Sequence, residues 1–316
     1  MITQKQFLAR VRGENFFVAL TSLWIVLLAM QGSAAERRPV YIYEDTRRLV
    51  GLVEDAARLV EQKGENAFDQ FKLPGSKWLN EKIYIFVLDL DGNCLFHGEQ
   101  PELIGKNLMV LRDMDTRPLV LFITEIGRKR EKDASGWVFY LWPDKKQLNP
   151  LWKSTYVRKV ERSDGKTYLV GSGLFNMKVE RHFVEDRVKA AAELLQKFGK
   201  QFAFEEFRNR ASPYVFLDTY IFVLDSQGRT VVDPARPTMT GRDLSTFRDA
   251  VGAPTIKDML NRLQQAEEAW VQYLWPRPGA VTPSRKLMYT RRVQAAGEKF
   301  IVGSDFFLAT PIWMKG

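Results

Sequence analysis

Residues 84–93 read YIFVLDLDGN, and residues 220–229 read YIFVLDSQGR. Tyr84 to Asp89 is therefore repeated, residue for residue, as Tyr220 to Asp225. Working outward at the same offset, Ala67-Phe68 matches Ala203-Phe204, Phe71 matches Phe207, and Gly105 matches Gly241. Further on, Trp137-Val138-Phe139-Tyr140-Leu141-Trp142-Pro143 aligns with Trp270-Val271-Gln272-Tyr273-Leu274-Trp275-Pro276, Tyr156-Val157-Arg158 with Tyr289-Thr290-Arg291, and Leu169-Val170-Gly171-Ser172 with Ile301-Val302-Gly303-Ser304. Ordered blocks at nearly one spacing mark a duplicated structural unit, in which elements persist and loops drift.

Each copy reads as one sequence of elements. A long helix comes first, over about 42–71 and 179–208, with Leu49, Leu52, Val53, Ala56, Leu59 and Val60 at helical spacing on one apolar face. A strand follows (83–89; 220–225), then a tight turn and a short strand. A second helix starts at Pro118 in one copy and Pro254 in the other, where the missing N–H of proline is no loss. Three strands complete the unit (137–142, 155–161 and 167–175; 270–275, 286–294 and 299–306), the last two joined by hairpins at Asp164-Gly165 and Ala296-Gly297. This order predicts an α+β fold of two modules, each a five-stranded antiparallel sheet with a long N-terminal helix and a crossing helix. The boundaries are expected at 1–35 for a leader, 40–176 for the first module and 177–308 for the second.

Asp89 raises the question of catalysis. A buried strand ending in Asp-x-Asp-Gly resembles the first motif of the haloacid-dehalogenase phosphotransferases, which would make Asp89 a nucleophile and Asp91 its acid or base. Asp-Gly is also a hairpin signal, because both residues tolerate the positive φ of a two-residue turn. The second copy has Gln227 at the place of Asp91 but keeps Gly228. What both copies retain is the turn, so the sequence predicts no enzyme. The phosphatase reading remains as an alternative that requires Mg-dependent turnover through Asp89. His97 and His182 stand in non-equivalent places, which argues against a metal site, and Cys94 reads as a buried structural thiol. No cofactor is expected.

Lys5, Arg10 and Arg12 precede the apolar run Phe16 to Met30, and Ser33 and Ala35 follow it. Those are the parts of an export signal, expected to be cleaved after Ala35, with an uncleaved membrane anchor as the alternative. A single cysteine precludes an intramolecular disulfide. The chain carries 45% hydrophobic and 27% charged residues, which excludes large-scale disorder. Its net charge of +9 is scattered rather than clustered with aromatics, which argues against nucleic acid and leaves an anionic ligand or a membrane surface.

The repeated YIFVLDxxG strand, the G-K-N-L or G-R-D-L loop, the WVxYLWP strand and the final VGS strand resemble the Cache family of extracytoplasmic sensor domains, which have a PAS-like fold. One departure stands out: the first copy has His97-Gly98 where the second copy and the family's usual pattern have a residue followed by proline, here Asp233-Pro234. The resemblance implies binding of small organic acids, amino acids or similar metabolites in a pocket over the sheet. Tyr140, Trp142, Tyr156 and Arg158, with Tyr273, Trp275, Tyr289 and Arg291, are the expected ligand-binding residues, on the premise that these strand faces are neighbours. Trp137 and Trp270, on the opposite face of their strands, are expected to pack against the long helix. Arginine grips both oxygens of a carboxylate through its planar fork, and buried aromatics strengthen such bonds by excluding water. Lys153 and Lys286 are further candidates, although alternation places each on the face opposite its neighbouring tyrosine. The expected function is extracytoplasmic sensing of a small anionic metabolite and signalling through a membrane-bound partner. The alternative is a structural or protein-interaction module without a ligand.

Overall fold

The computed structural model describes residues 39–144, 149–217, 219–277 and 279–308. The expected export signal, residues 1–35, lies outside the described residues. Among the described residues no helix is long and apolar enough to cross a membrane.

Alternation along the strands decides how each sheet is covered, because successive side chains point to opposite faces. Strand β1 (Phe86–Leu88) pairs with β2 (Cys94–His97) and with β5 (Thr167–Phe175), and β4 (Leu151–Glu161) joins β5 to β3 (Ser135–Trp142). The order β2-β1-β5-β4-β3 is antiparallel throughout. Phe86, Leu88, Val138, Val157 and Leu169 form one buried cluster with Leu119, Val120, Ile123 and Ile126 of the crossing helix α3 (Leu119–Gly127). Val87, Val160, Tyr168 and Val170 form another with Ala56, Ala57 and Val60 of α1 (Glu44–Lys63). One sheet is thus buried on both faces, and each fully buried aliphatic side chain contributes about 1.5–3 kcal/mol.

Helix α1 forms because Leu49, Val53, Ala56, Ala57 and Val60 make a single buried stripe, with Glu44 and Asp45 in the first turn and Lys63 in the last to complement the helix dipole. It stops at Lys63, earlier than the apolar spacing suggests, because Gly64 takes φ 59°. A 3-10 turn and a short helix α2 (Phe68–Phe71) carry the chain on, so Phe71 still reaches the core as its spacing demanded.

The second half repeats this plan. Helix α4 (Arg181–Arg208) is broken at Gly199, whose φ 76° and ψ 174° are not helical. A small ribbon, β6 (Val215–Phe216) with β7 (Thr219–Tyr220), precedes β8 (Phe222–Asp225) and β9 (Thr230–Val232). The crossing helix α5 (Thr255–Gln265) is followed by β10 (Glu268–Pro276), β11 (Pro283–Ala295) and β12 (Glu298–Phe307). The sheet order β10-β11-β12-β8-β9 is the first sheet read in reverse. Helix α4 packs on β11 and β12, and α5 packs on β10 and β11.

The two halves meet at the starts of their long helices. Glu180, which precedes α4, is 1% exposed, and its carboxylate accepts the N–H groups of Ile42 at 2.9 Å and Tyr43 at 2.8 Å, just before α1. Beside it Trp137 Nε1 donates to Tyr41 Oη at 3.0 Å and its ring lies 4.7 Å from Phe183 of α4. The expected packing of Trp137 on the long helix of its own module is thereby corrected. Trp137 sits on an edge strand, and there the chain before α1 and the start of α4 cover it instead. Trp270 does face its own long helix, donating to Glu185 of α4 at 3.0 Å.

Candidate functional site

Strand register sorts the expected site residues. In the first sheet Tyr140 is paired with Lys153 and Trp137 with Tyr156; in the second, Tyr273 is paired with Lys286 and Trp270 with Tyr289. Directly paired residues share a face. The ten residues therefore divide, with Tyr140, Trp142 and Lys153 (Tyr273, Trp275 and Lys286) on the crossing-helix face and Tyr156 and Arg158 (Tyr289 and Arg291) on the long-helix face. The premise that the two sets are neighbours is corrected by the register, which also moves the two lysines onto the tyrosine–tryptophan face. Tyr156 Oη and Arg158 Nε both bond Glu54 of α1, at 3.0 and 3.2 Å, while Tyr289 Oη and Arg291 Nη1 bond Glu268, at 2.6 and 2.9 Å. Those four side chains tie sheets to helices and to a neighbouring strand.

On the crossing-helix face of the second sheet there is a cavity of about 300 Å³. Strands β11 and β12 bring Lys286 and Asp305 together, Nζ to Oδ1 at 2.6 Å, with the side chains 11% and 9% exposed. Tyr273 Oη donates to the other oxygen, Oδ2, at 2.6 Å. The loop after β9 supplies Asp233 and Arg236, joined at 3.2 Å, and that loop is shaped by Asp233 Oδ1 accepting the Arg236 N–H. Tyr220, Trp275 and Phe247 add aromatic walls, and Thr230 and Thr255 also line the cavity. Burial raises Tyr273 well above its usual range, and the nearby Asp305 carboxylate adds to this; burial, then Asp305 and Asp233, raises Tyr220. Both phenols are therefore proton donors at any physiological pH. Two cations, two carboxylates and two phenols converge on an otherwise apolar hollow, a lining suited to a small polar metabolite.

The same face of the first sheet is occupied by its own side chains. Lys153, 2% exposed, donates to Tyr84 Oη at 2.6 Å and lies over the Phe175 ring. The hydroxyls of Tyr140 and Thr155 are hydrogen-bonded to each other at 2.9 Å. Gly173 stands where the second copy has Asp305, and a Cβ there would collide with Thr155 Oγ1 and press on the Lys153 stem. Burial pushes the Lys153 ammonium down to about 8, partly offset by Glu99 and Asp144, and pushes Tyr140 up to about 12. His97, at the place of Asp233, packs its ring 4.8 Å from that of Tyr84 in a tilted arrangement and accepts the Gln100 N–H. Burial, with Lys153 adding to it, lowers His97 to about 4, so it is neutral at pH 7.

Asp89 shapes the turn. Its Oδ1 accepts the N–H groups of Asp91 and Asn93, and Asp225 accepts those of Gln227 and Arg229 in the same way. Gly92 and Gly228 follow at φ 79° and 89°. The repeated Asp is thus an Asx-turn residue in both copies. Among the described residues no group of three His, Cys, Asp or Glu side chains is placed to hold a metal ion.

Sequence reasoning missed Tyr220, Asp233, Arg236, Asp305, Thr230 and Thr255. Asp305 left a trace, as an acid inside the apolar run Ile301 to Phe307 at a position where the first copy has Gly173. Arg236 left none, because its approach depends on a loop path.

Residues 53–180 match the family model described as "Cache domain", and residues 184–307 match "Single Cache domain 2". A methyl-accepting chemotaxis protein of Pseudomonas putida, McpP, is 31% identical over 91 residues, which is 29% of this chain and 16% of that protein. The chain therefore spans about a sixth of the length of that curated relative. Among solved structures, one described as "Structural basis for carboxylic acid recognition by a Cache chemosensory domain" is 23% identical, with a TM-score of 0.34, covering 40% of this chain and 90% of that one. The ligand-binding domain of the amino acid chemoreceptor PctB of Pseudomonas aeruginosa PAO1, in complex with L-Arg, is 14% identical with a TM-score of 0.29, covering 83% and 86%.

Proposed function

The chain belongs to the Cache family, with two such domains in tandem, and from that premise we propose that it is an extracytoplasmic sensor whose second domain binds a small carboxylate. The observation that carries this reading is the cavity on the second sheet, where Lys286 and Arg236 face one hollow with Tyr220 and Tyr273. Lysine has three donors and arginine five, and one carboxylate partner apiece leaves N–H groups over for a ligand's oxygens. The four charged groups sum to zero, so recognition rests on donor number and on exclusion of water. The domains are taken as residues 40–176 and 177–308, exported behind residues 1–35, with no catalytic role for Asp89.

The proposed route of the signal follows the packing. Strands β11 and β12 present Lys286 and Asp305 to the cavity on one face and lie against α4 on the other. Glu180, at the start of α4, holds the backbone just before α1. A ligand that draws β11 and β12 together has different contacts in the two states, and the starts of both long helices move with them towards a membrane-bound partner.

A thermal-shift titration of the chain against small carboxylates tests the reading. A ligand at one hundred times its Kd stabilises by about 2.7 kcal/mol, a rise of roughly 5–10 °C in Tm. No rise with any carboxylate, together with a protein that co-purifies, would instead favour an interaction module.

A further inference from the structure

Resting on the carboxylate reading above, we propose that the ligand of the second-domain cavity is a monocarboxylate with an unsubstituted apolar body of about four or more carbons. Its carboxylate meets Lys286 and Arg236, and its hydrocarbon part fills the depth of the hollow. Phe222, Leu224, Leu244 and Ile256 line that depth, and Phe247 and Met288 flank it. Leu244 and Phe247 are only partly buried, so carbon surface is left for a ligand to cover. Thr230 and Thr255 border the same space, but their hydroxyl oxygens are buried and offer a ligand no hydrogen bond. At the place of Met288 the first domain has Thr155, hydrogen-bonded to Tyr140, and at that of Phe247 it has Leu111. Both exchanges enlarge the carbon surface of the second hollow.

The charged groups stand at one end of the hollow. Thr230, Leu224 and Ile301 are paired across β9, β8 and β12 and form one row. Asp305 lies four residues beyond that row on β12 and Asp233 three residues beyond it after β9, in the same direction, because both strands run antiparallel to β8. At ~3.3 Å per residue these offsets are roughly 13 and 10 Å. The far end is closed by Leu244, whose N–H donates to Gly228 O at 3.0 Å, and by Ile256, which packs over the same glycine. The cavity of about 300 Å³ has the liquid volume of roughly ten waters at ~30 Å³ each. A two- or three-carbon acid held by either cation leaves most of that water against carbon, whereas an apolar body displaces it, which is favourable in proportion to the area covered.

Calorimetric titration of the full chain with propanoate, butanoate, pentanoate and hexanoate, with 6-hydroxyhexanoate and with hexan-1-ol tests this. Affinity is expected to rise about fourfold for each methylene from propanoate to hexanoate, with a heat-capacity change that grows more negative along the series. 6-Hydroxyhexanoate, whose hydroxyl would leave water for a carbon-lined space, is expected to bind at least about tenfold more weakly than hexanoate. Leu244→Asn is expected to weaken hexanoate about tenfold and to leave propanoate unchanged, while Leu244→Met retains wild-type affinity for both. Thermal unfolding of the ligand-free variants reports that they fold, and the chain-length series on the wild-type protein decides the matter without them. Propanoate or 6-hydroxyhexanoate binding as tightly as hexanoate, or a folded Leu244→Asn that binds hexanoate like wild type, overturns the proposal and leaves the carboxylate reading standing. Binding of hexan-1-ol as tightly as hexanoate, or of no acid at all, removes both.

Discussion

Lys286→Met is expected to lower stability by about 3–5 kcal/mol and to abolish carboxylate binding. Lys286 and Asp305 are a nearly buried pair, and removing the ammonium leaves the Asp305 carboxylate beside Tyr273 Oη without its direct partner, with only the Arg236 guanidinium, itself paired with Asp233, as a nearby positive charge. Removing one partner of such a pair costs far more than removing both. Asp305→Asn added to Lys286→Met is therefore expected to restore most of the loss, since it removes the stranded charge. Binding does not return with stability, because the ammonium donors are gone; the affinity loss expected in the double variant is about 100-fold. Thermal unfolding and calorimetry on the single and double variants separate the two effects. A double variant that regains carboxylate affinity would mean that Lys286 only neutralises Asp305 and never touches the ligand.

Asp113→Ala has the largest effect expected in the first domain, about 4 kcal/mol or roughly 10 °C in Tm. Asp113 organises the loop before α3. Its Oδ1 accepts the N–H groups of Asp115 and Arg117, and its Oδ2 accepts the Leu141 N–H of strand β3. It also pairs with the Arg117 guanidinium at 3.1 Å, with side-chain exposures of 0% and 1%. Arg117 stacks 4.7 Å from the Trp152 ring and keeps Asp115 as a partial counter-charge. In the second copy Asp249 makes the same three backbone bonds, to Val251, Ala253 and Leu274, with no buried arginine. Asp249→Ala is accordingly expected to cost less, about 2–3 kcal/mol for the lost N–H partners. Equal losses at the two sites would show that the loop bonds, not the buried charge, dominate.

These aspartates also mark the limit of what the sequence disclosed. The duplication, the α+β layout and the identity of the strands were legible, because apolar alternation and turn glycines act locally, and the YIFVLD strand made the two copies visible. Helix α1 ended early where Gly64 takes a positive φ, a single-residue event that the longer apolar pattern outweighed. The lining of the second-sheet cavity was legible in part. Tyr140, Trp142 and Lys153, like Tyr273, Trp275 and Lys286, do share a face, but parity within one strand cannot say which face its neighbour presents. That is fixed by pairings such as Trp137 with Tyr156, which depend on where each hairpin turns. Asp233, Arg236 and Thr255 come from loops and a helix start, and their convergence is a property of the assembled fold.

The difference between the domains follows from a few substitutions. With Asp305 exchanged for Gly173, Asp233 for His97, and Thr230 and Thr255 for Cys94 and Leu119, the first sheet turns its lysine onto Tyr84 and closes over it. The second sheet keeps the polar groups and the hollow.

A crystal structure of the chain grown with the carboxylate that raises its Tm most is the direct measurement. It is expected to show the ligand in the hollow between α5 and the second sheet, with its carboxylate within hydrogen-bond distance of Lys286 or Arg236 and the first sheet's face still filled by Lys153. Ligand density over the first sheet, with the second hollow left empty, would contradict the account.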